Sequence, residues 1–302
     1  MLCPMNPVAS PAVVAELLRR RGLHPNRRWG QNFLVDGNLL NKVADAAEIS
    51  PEDGVLEIGP GLGALTRVLS ERARQVLAVE IDPGLYAALT EETARDLPNV
   101  TFRHADFLQT DLEALAPEVL GPGRHLVAAN IPYSITSPVV VRLLEHQQLF
   151  RRIVLMVQKE VADRLTAAPD SSDYGSLTLF ARLFADLRMV AFVSRHAFLP
   201  APDVDSAIVR LDVLERPRFP DVPERRFLAV VQAAFQMRRK NLGNALTGPS
   251  TGWTREQAIA ALEAAGIDFR RRGETLTPEE FAALARHWPE DAPDPRSRLK
   301  MK

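Results

Sequence analysis

The tetrapeptide Asn130-Ile131-Pro132-Tyr133 contains the residue types that could activate the exocyclic amine of a nucleobase. Such an amine is a poor nucleophile because its lone pair is delocalised into the ring. Two acceptors, the side-chain oxygen of Asn130 and the carbonyl of Ile131, would favour the pyramidal nitrogen that attacks an electrophile. Pro132 restricts the backbone so that these acceptors converge, and Tyr133 offers a ring on which a base can stack. An ordinary turn is the alternative interpretation.

A glycine-rich loop, with glycines at 59, 61 and 63, follows the apolar run 55–58 and precedes a helical pattern. Glycine backbone at the start of a helix turns tightly and approaches a nucleotide without a side-chain clash. The dinucleotide fingerprint has its third glycine at position 64, where this chain has Ala64. Because an alanine variant of that fingerprint is allowed, the loop by itself leaves NAD open as the ligand.

Two acidic residues follow the next two apolar runs. Glu80 ends the second predicted strand, and an acidic side chain at that point reaches a ribose diol, since neighbouring parallel strands end at the same sheet edge. A solvated side chain at a strand end is the alternative for Glu80. Asp106 falls after the third predicted strand, where its carboxylate could accept a hydrogen bond from an adenine amine. Because NAD and S-adenosylmethionine share that ribose, Glu80 alone does not choose between them, and Asp106 is the first of two features that favour S-adenosylmethionine.

The chemistry available favours S-adenosylmethionine. Its sulfonium is already an activated leaving group, so methyl transfer to an amine needs no strong general base, metal or covalent nucleophile, and none stands out in the sequence. A nicotinamide-dependent dehydrogenase would need an acid or base, such as His or a Tyr-Lys pair, in the second domain. We find no such pair. The predicted metal content of the site is therefore none.

Short apolar runs alternate with helical patterns over the first two thirds of the chain, which is typical of a parallel sheet with crossover helices. The runs are 55–58, 75–79, 100–102, 126–129 and 153–157. One more strand is predicted over 207–214, and helical periodicity alone follows it. The pattern therefore predicts an α/β domain followed by a small all-helical domain.

Prolines 217 and 220 break the pattern, and we place the domain boundary near residue 216. The predicted organisation is an N-terminal helix and basic extension over 1–30, a catalytic domain over 31–216, a small helical domain over 217–288 and a flexible tail over 289–302. Residues 1–26 fit either an RNA-contacting arm or a lid.

Composition bounds the class of protein. The 302 residues contain a single cysteine, Cys3, which excludes an intrachain disulfide and a cysteine-based metal site. The N-terminus lacks the basic region of a secretory signal, and no apolar run reaches the roughly 18 residues of a membrane span, so we expect a cytoplasmic protein without membrane contact. The formal net charge is only −1, but basic ends flank an acidic middle, which permits an RNA partner.

These motifs resemble the ribosomal RNA adenine dimethyltransferase family, more closely its small-subunit branch. The segment Gly30-Gln-Asn-Phe-Leu34 resembles the family's opening signature, and the loop 57–63 its glycine loop. The resemblance implies a Rossmann-like S-adenosylmethionine-dependent methyltransferase fold, with a mostly parallel sheet and helices on both faces, plus a small C-terminal all-helical domain. The cofactor-binding residues that it implies are Asn32, Leu34, Gly59, Gly61, Glu80, Asp106 and Asn130, and the catalytic tetrapeptide is Asn130, Ile131, Pro132 and Tyr133.

Two further segments extend the resemblance. The segment 198–207 resembles a family segment in which Phe198 would be a second ring against the target adenine, and plain core is the alternative. The run Arg238-Arg239-Lys240 resembles a helical-domain motif that faces RNA, and a solvated helix end is the alternative. The departures from the family pattern, Trp29, Ala201 and Met237, affect no predicted catalytic residue.

By this resemblance the chain dimethylates the exocyclic amine of two adjacent adenosines in a loop near the 3′ end of small-subunit 16S rRNA. Its partner is then the small ribosomal subunit, and the protein is a monomer. Three alternatives stay open from the sequence. They are a large-subunit enzyme conferring macrolide resistance, a binding-only relative without methyl transfer, and, on the glycine loop alone, a dehydrogenase.

Overall fold

The computed structural model describes residues 9–25, 30–247 and 251–288. The predicted tail 289–302, Trp29 and residues 1–8 of the basic extension lie outside the described residues. Among the helices that are described, none combines the length and the apolar character needed to cross a membrane.

Nine strands occur in the described part of the chain. They are β1 (Phe33–Leu34), β2 (Gly54–Ile58), β3 (Gln75–Glu80), β4 (Val100–His104), β5 (His125–Asn130), β6 (Phe150–Gln158), β7 (Ala185–Val193), β8 (Phe198–Leu199) and β9 (Ser206–Val213). Seven of them form one sheet in the order β4-β3-β2-β5-β6-β9-β7, and β1 pairs with β8 in a separate antiparallel ribbon.

The described α-helices connect and cover these strands. In chain order they are α1 (Pro11–Arg20), α2 (Gly37–Ala47), α3 (Ala64–Ser70), α4 (Pro83–Glu92), α5 (Leu112–Leu120), α6 (Thr136–Glu145), α7 (Lys159–Thr166), α8 (Ser176–Phe184), α9 (Glu224–Gln236), α10 (Leu242–Ala245), α11 (Arg255–Ala264) and α12 (Pro278–Arg286).

The predicted sheet is confirmed in its parallel part. The pairs β4–β3, β3–β2, β2–β5 and β5–β6 are all parallel, whereas β9 runs antiparallel to β6. Strands covered on both faces are apolar along most of their length, which is why 126–129 and, apart from Glu57, 55–58 are apolar runs rather than alternating ones. Helices α2, α3, α4 and α5 contact these strands, so the fold is the Rossmann-like α/β fold that we expected.

Strand β7 was not predicted. It lies at the edge of the sheet, where Arg188, Met189 and Phe192 are exposed and few positions are buried. An edge strand with one weakly covered face shows neither the continuous apolar run of a buried strand nor a clear alternation, so its sequence carries little strand signal.

The chain divides into two compact units. One, the sheet unit, comprises 1–162 and 187–215, and the other, the helical unit, comprises 163–186 and 216–302. The helical unit resumes at Arg216, beside the predicted boundary. Residues 163–186, which the sequence analysis placed in the catalytic domain, instead belong to the helical unit, a correction that follows from the packing of α8 against α9.

An aromatic cluster forms part of the core of the helical unit. Phe281 of α12 stacks on Phe235 at 6.1 Å between ring centroids and meets Phe227 edge-on at 6.4 Å. Tyr174 is completely buried, and its hydroxyl donates to the carbonyl of Leu276 over 2.9 Å. This tyrosine comes from the segment 163–186, so its burial explains why that segment joins the helical unit. Helices α11 and α12 begin with capping boxes, which pair Thr254 with Gln257 and Thr277 with Glu280.

The antiparallel pair β6–β9 carries an ion-pair network. Asp212 accepts from Arg152 over 2.7 Å and from Arg210 over 2.8 Å, and both arginines also contact Glu48 at the end of α2. Burial raises the pKa of Asp212, but hydrogen bonds from the two arginines outweigh it and hold that pKa below its usual value. The network ties β6, β9 and α2 together through charge-assisted hydrogen bonds.

Candidate active site

A cavity opens at the edge of the sheet where the parallel strands end, and its lining residues all belong to the sheet unit. Its walls come from the segments that follow β2, β3, β4 and β5, from residues 30–34, and from Val14 of α1. We call it the sheet-edge cavity. The predicted site residues that line it are Asn32, Leu34, Gly59, Gly61, Glu80, Asp106, Asn130, Ile131, Pro132 and Tyr133.

The glycine loop forms the floor of the cavity after β2. Gly59 and Gly61 adopt φ angles of +67° and +61°, which glycine reaches without strain. A Cβ on Gly61 would lie 3.2 Å from the ring of Phe33, and one on Gly59 would lie 3.7 Å from the ring of Pro132. Both positions therefore favour glycine for their conformation, and Gly61 favours it for space as well.

The Glu80 carboxylate is buried at the end of β3, and each of its oxygens accepts one backbone N–H. Oε2 accepts from Gly61 over 3.1 Å, and Oε1 accepts from Asp82 over 2.9 Å. Burial raises the pKa of Glu80 above its usual value, although these N–H groups oppose the shift. A carboxylate offers about four acceptor positions, so each oxygen keeps one for a ligand. Two adjacent free acceptors match the vicinal hydroxyls of a ribose.

Asp106 follows β4 and caps the short helical turn after it. Its Oδ1 accepts from the backbone of Leu108 over 2.9 Å, and its Oδ2 accepts from the amide of Gln109 over 2.7 Å. Because both oxygens are already oriented by the chain itself, the carboxylate is held at the cavity wall where an adenine edge can meet it. The register Glu80↔His104 between β3 and β4 places the two acids at neighbouring strand ends.

Asn130 ends β5, and its amide nitrogen donates to the carbonyl of Asn32 over 3.2 Å. The Asn32 side chain in turn donates to the carbonyl of Gly30 over 3.0 Å. Because the Asn130 nitrogen is held by the backbone, the amide oxygen is left as the acceptor of that side chain. This orientation is the one that activation of an amine requires.

Tyr133 is anchored at its hydroxyl, which lies 2.6 Å from the hydroxyl of Ser206 on β9. Burial raises the pKa of Tyr133, so its phenol stays neutral. Ser206 is completely buried, and its pairing with Tyr133 fixes the ring at the cavity wall. The serine comes from the segment 198–207 that the resemblance singled out.

Phe198 lies in the β1–β8 ribbon. It is not among the residues that line the sheet-edge cavity, and its side chain is buried in the apolar core that also contains Leu34. The β1–β8 ribbon pairs Phe198 directly with Leu34. The ring therefore packs behind a cavity residue, and the plain-core alternative describes its position in this structure.

Gln31 also has an indirect place in the site. Its amide donates to the Asp82 carboxylate over 2.9 Å, and Asp82 caps α4 by accepting from Gly84 over 2.8 Å. The side chain of Gln31 thus ties the opening signature to the segment that follows Glu80.

The N-terminal extension is partly accounted for by α1. Val14 lines the sheet-edge cavity, and both Arg20 and Arg21 form ion pairs with Glu92 of α4. Two of the basic residues of the extension are therefore engaged within the sheet unit. Arg27 and Arg28 lie outside the described residues.

The basic run after α9 is described within the helical unit. Arg238 donates to the carbonyls of Ser172 and Tyr174 over 2.6 and 3.0 Å and lies 3.4 Å from the Glu274 carboxylate. Arg239 and Lys240 are exposed. All three cations are exposed, but Arg238 also supports the segment 163–186 through its hydrogen bonds.

One residue of the cavity was not predicted as functional. Glu57 is 1% exposed, lines the sheet-edge cavity, and its Oε2 finds no hydrogen-bond partner among the residues described. Burial raises its pKa to about 8, and the nearby charge of Glu80 adds to the shift. The sequence feature that could have indicated a functional role is the presence of an acidic residue inside the otherwise apolar run 55–58.

The cavity fits S-adenosylmethionine by its donor and acceptor set. The free acceptors of Glu80 suit a ribose, Asp106 suits an adenine edge, and Oε2 of Glu57, which has no hydrogen bond within the described residues, suits a positive charge. When bound, this cofactor supplies a methyl group activated by its sulfonium. The chain is an S-adenosylmethionine-dependent methyltransferase with a Rossmann-like fold and a C-terminal helical unit.

Comparison with known proteins assigns the family. Residues 22–286 match the family of ribosomal RNA adenine dimethylases, and the chain belongs to that family. It is 44% identical over 281 residues to the ribosomal RNA small subunit methyltransferase A of Geobacillus kaustophilus, covering 92% of this chain and 96% of that protein. The protein of the same name from Moorella thermoacetica is 45% identical over 93% of this chain and 99% of that protein.

Two solved structures are similar to this one. A dimethyladenosine transferase from Plasmodium falciparum superposes with a TM-score of 0.69 at 28% identity, over 82% of this chain and 94% of that chain. The 23S rRNA methyltransferase ErmE superposes with a TM-score of 0.65 at 32% identity, over 85% of this chain and 99% of that chain.

Proposed function

We propose that this protein transfers two methyl groups to the exocyclic amine of each of two adjacent adenosines near the 3′ end of small-subunit 16S rRNA. The observation that carries the chemistry is the orientation of Asn130, whose nitrogen is held by the Asn32 carbonyl so that its oxygen is left to accept. The choice of the small subunit rests on the names of the relatives from Geobacillus kaustophilus and Moorella thermoacetica. We propose further that it acts in the cytoplasm as a monomer.

The chain's own residues divide the work of the reaction. The Asn130 oxygen and the Ile131 carbonyl accept the hydrogens of the target amine, which localises the nitrogen lone pair for attack. The Tyr133 ring, fixed by Ser206, stacks on the flipped base, and the target leaves its stack at a cost of about a few kcal/mol that is least in a loop. Glu80 and Asp106 hold the ribose and the adenine of the methyl donor, with Asn32, Leu34, Gly59 and Gly61 completing the wall.

We propose the following roles for Phe198 and for the basic run 238–240. Phe198 packs behind Leu34 and keeps that wall in place, rather than touching the target base. Arg239 and Lys240 contact the rRNA backbone, whereas Arg238 mainly stabilises the helical unit. None of these proposed residue roles requires a metal ion.

The large-subunit enzyme is the second candidate, since ErmE shares 32% identity with this chain. The identities of 44 and 45% to proteins named for the small subunit favour the first candidate. Purified protein is incubated with labelled S-adenosylmethionine and either undermethylated small subunits or large subunits, and the digested RNA is analysed by mass spectrometry. Dimethyladenosine in small-subunit RNA alone supports the proposal. Product only from large subunits refutes the choice of subunit, and no product from either refutes catalysis.

The role of Asn130 is tested with Asn130→Ala. Its contacts to the amine strengthen mainly in the transition state, so turnover should fall by at least about a hundredfold while the Kd of the methyl donor changes by less than tenfold. Asn38→Ala, at an exposed asparagine of α2, is the matched control. An equal loss of cofactor binding and turnover would assign Asn130 to cofactor binding alone.

A further inference from the structure

The sheet-edge cavity is acidic. Glu57, Glu80 and Asp106 all line it, and no lysine, arginine or histidine is among its lining residues in the described ranges. Glu80 and Asp106 each receive hydrogen bonds from the chain at both oxygens. Glu57 differs, because its Oε2 has no such partner in that part of the chain. Among the described residues, Oε2 of Glu57 is thus the carboxyl oxygen of these three acids that has no hydrogen bond.

Burial decides the charge of this carboxyl group in the cofactor-free protein. A charged carboxylate that is 1% exposed, with no cation among the described residues that line the cavity, is costly, and the group takes up a proton instead. From β3, the negative charge of Glu80 also disfavours ionisation, and from α3 the Thr66 hydroxyl favours the charged form by less than burial disfavours it. Asn130 on β5 faces the cavity without a charge.

We infer that Glu57 is a proton-exchanging counter-ion for the positively charged methionine end of S-adenosylmethionine. In the cofactor-free protein the group is a neutral carboxylic acid. When the cation binds, the O–H bond of the acid breaks, the proton leaves to solvent, and the resulting carboxylate pairs with the positive charge. The inference rests on the class of cofactor and not on the identity of the RNA, so it is tested without RNA.

Two properties of the protein follow. Cofactor affinity should increase as pH rises toward 8, because less work is then needed to remove the proton, and it should level off above that pH. The expected gain is close to tenfold per pH unit well below the pKa. Proton release should also depend on the charge of the ligand, because a neutral ligand in the same cavity does not stabilise the carboxylate form of Glu57.

The test is isothermal titration calorimetry at pH 7 in buffers of different ionisation enthalpy, which measures the protons released per ligand bound. Wild type is compared with Glu57→Gln, which keeps the shape of the neutral acid, and with Glu71→Gln, at an exposed glutamate, as the matched control. We expect wild type and Glu71→Gln to release nearly one proton more than Glu57→Gln. Taking the difference between variants cancels the titration of the ligand's own amine.

The choice of ligand identifies the charge that Glu57 pairs with. S-Adenosylmethionine carries a sulfonium and an ammonium, S-adenosylhomocysteine keeps only the ammonium, and 5′-methylthioadenosine has neither. Release with the first alone assigns the sulfonium, and release with the first two assigns the ammonium. Equal release by wild type and Glu57→Gln, or equal release with 5′-methylthioadenosine, would overturn the inference. Release that persists in Glu57→Gln and disappears in Glu80→Gln would assign the proton to Glu80 instead.

A second measurement guards against a folding defect in the variant. Because the folded-state pKa of Glu57 is raised, stability falls as pH rises from the unfolded pKa toward about 8. Glu57→Gln removes that loss, so its Tm should exceed that of wild type by a margin that grows between pH 5 and 8. A margin independent of pH would contradict the protonated state.

Discussion

Replacing Glu80 with glutamine tests how the cavity holds a ribose. In the wild type each carboxylate oxygen accepts one backbone N–H, from Gly61 and Asp82, and keeps one position for a ligand hydroxyl. Glutamine has only one oxygen, so its NH₂ replaces the other carboxylate oxygen. At that position it meets a backbone N–H and cannot accept a hydrogen bond from the ligand hydroxyl. One charge-assisted hydrogen bond to the ligand is lost, at about 1.5–3 kcal/mol. The Kd should therefore rise by about ten- to 150-fold.

The effect of Glu80→Gln on stability should be smaller than its effect on binding. The lost bond to the Gly61 N–H destabilises the fold, but the substitution also removes a buried charge, and burial is the largest cause of the raised pKa of Glu80. These two contributions oppose each other in the folded protein. In the complex, the lost ligand bond has no such compensation.

The assay is calorimetric titration with S-adenosylhomocysteine, with Glu71→Gln as the control at an exposed site. Competition by adenosine and by 2′,3′-dideoxyadenosine isolates the hydroxyl contacts. Wild type should prefer adenosine, and the preference should shrink in Glu80→Gln. A folded variant that binds S-adenosylhomocysteine within twofold of wild type would refute the ribose assignment. An equal loss of affinity for adenosine and for 2′,3′-dideoxyadenosine, which lacks the 2′ and 3′ hydroxyls, would also refute it.

Three further results are expected. Tyr133→Phe should lower the free energy of unfolding by about 1–3 kcal/mol in urea melts, because a buried hydroxyl loses its partner, while the ring keeps turnover within a few fold. The pair Arg239→Ala and Lys240→Ala should reduce the slope of log affinity for rRNA against log salt by about one for each cation that binds a phosphate, measured by filter binding. Asp212→Asn should lower stability at neutral pH but progressively less in acid. Its folded pKa is depressed, so its contribution is present above the unfolded pKa of about 3.9 and is lost as pH falls through the folded value.

Each of these expectations has a contrary result. Unchanged stability of Tyr133→Phe would mean that its hydroxyl pairing contributes nothing. An unchanged salt slope in the double variant would mean that Arg239 and Lys240 are solvated side chains that do not bind rRNA. Arg238→Ala, by contrast, should mainly lower stability, because its partners are backbone carbonyls of the same unit. A stability loss in Asp212→Asn that is as large at pH 3 as at pH 7 would contradict the ion-pair explanation.

The parts of this protein that depend on neighbours in the chain could be predicted from its sequence. The buried parallel strands appear as apolar runs, the loop at Gly59 and Gly61 follows from the need for positive φ, and Asn130 to Tyr133 holds its chemistry within four residues. Parallel strands end at one sheet edge, so the placement of Glu80 and Asp106 in the same cavity follows from the order of strands and loops.

The tertiary structure decided what depends on residues distant in sequence. Whether the Phe198 ring reaches the cavity depends on its pairing with Leu34, and whether Arg238 is free depends on carbonyls more than 60 positions away. The membership of 163–186 in the helical unit depends on the burial of Tyr174. The raised pKa of Glu57 likewise follows from its burial, because the cost of a charge is set by the surrounding atoms and not by the residue itself.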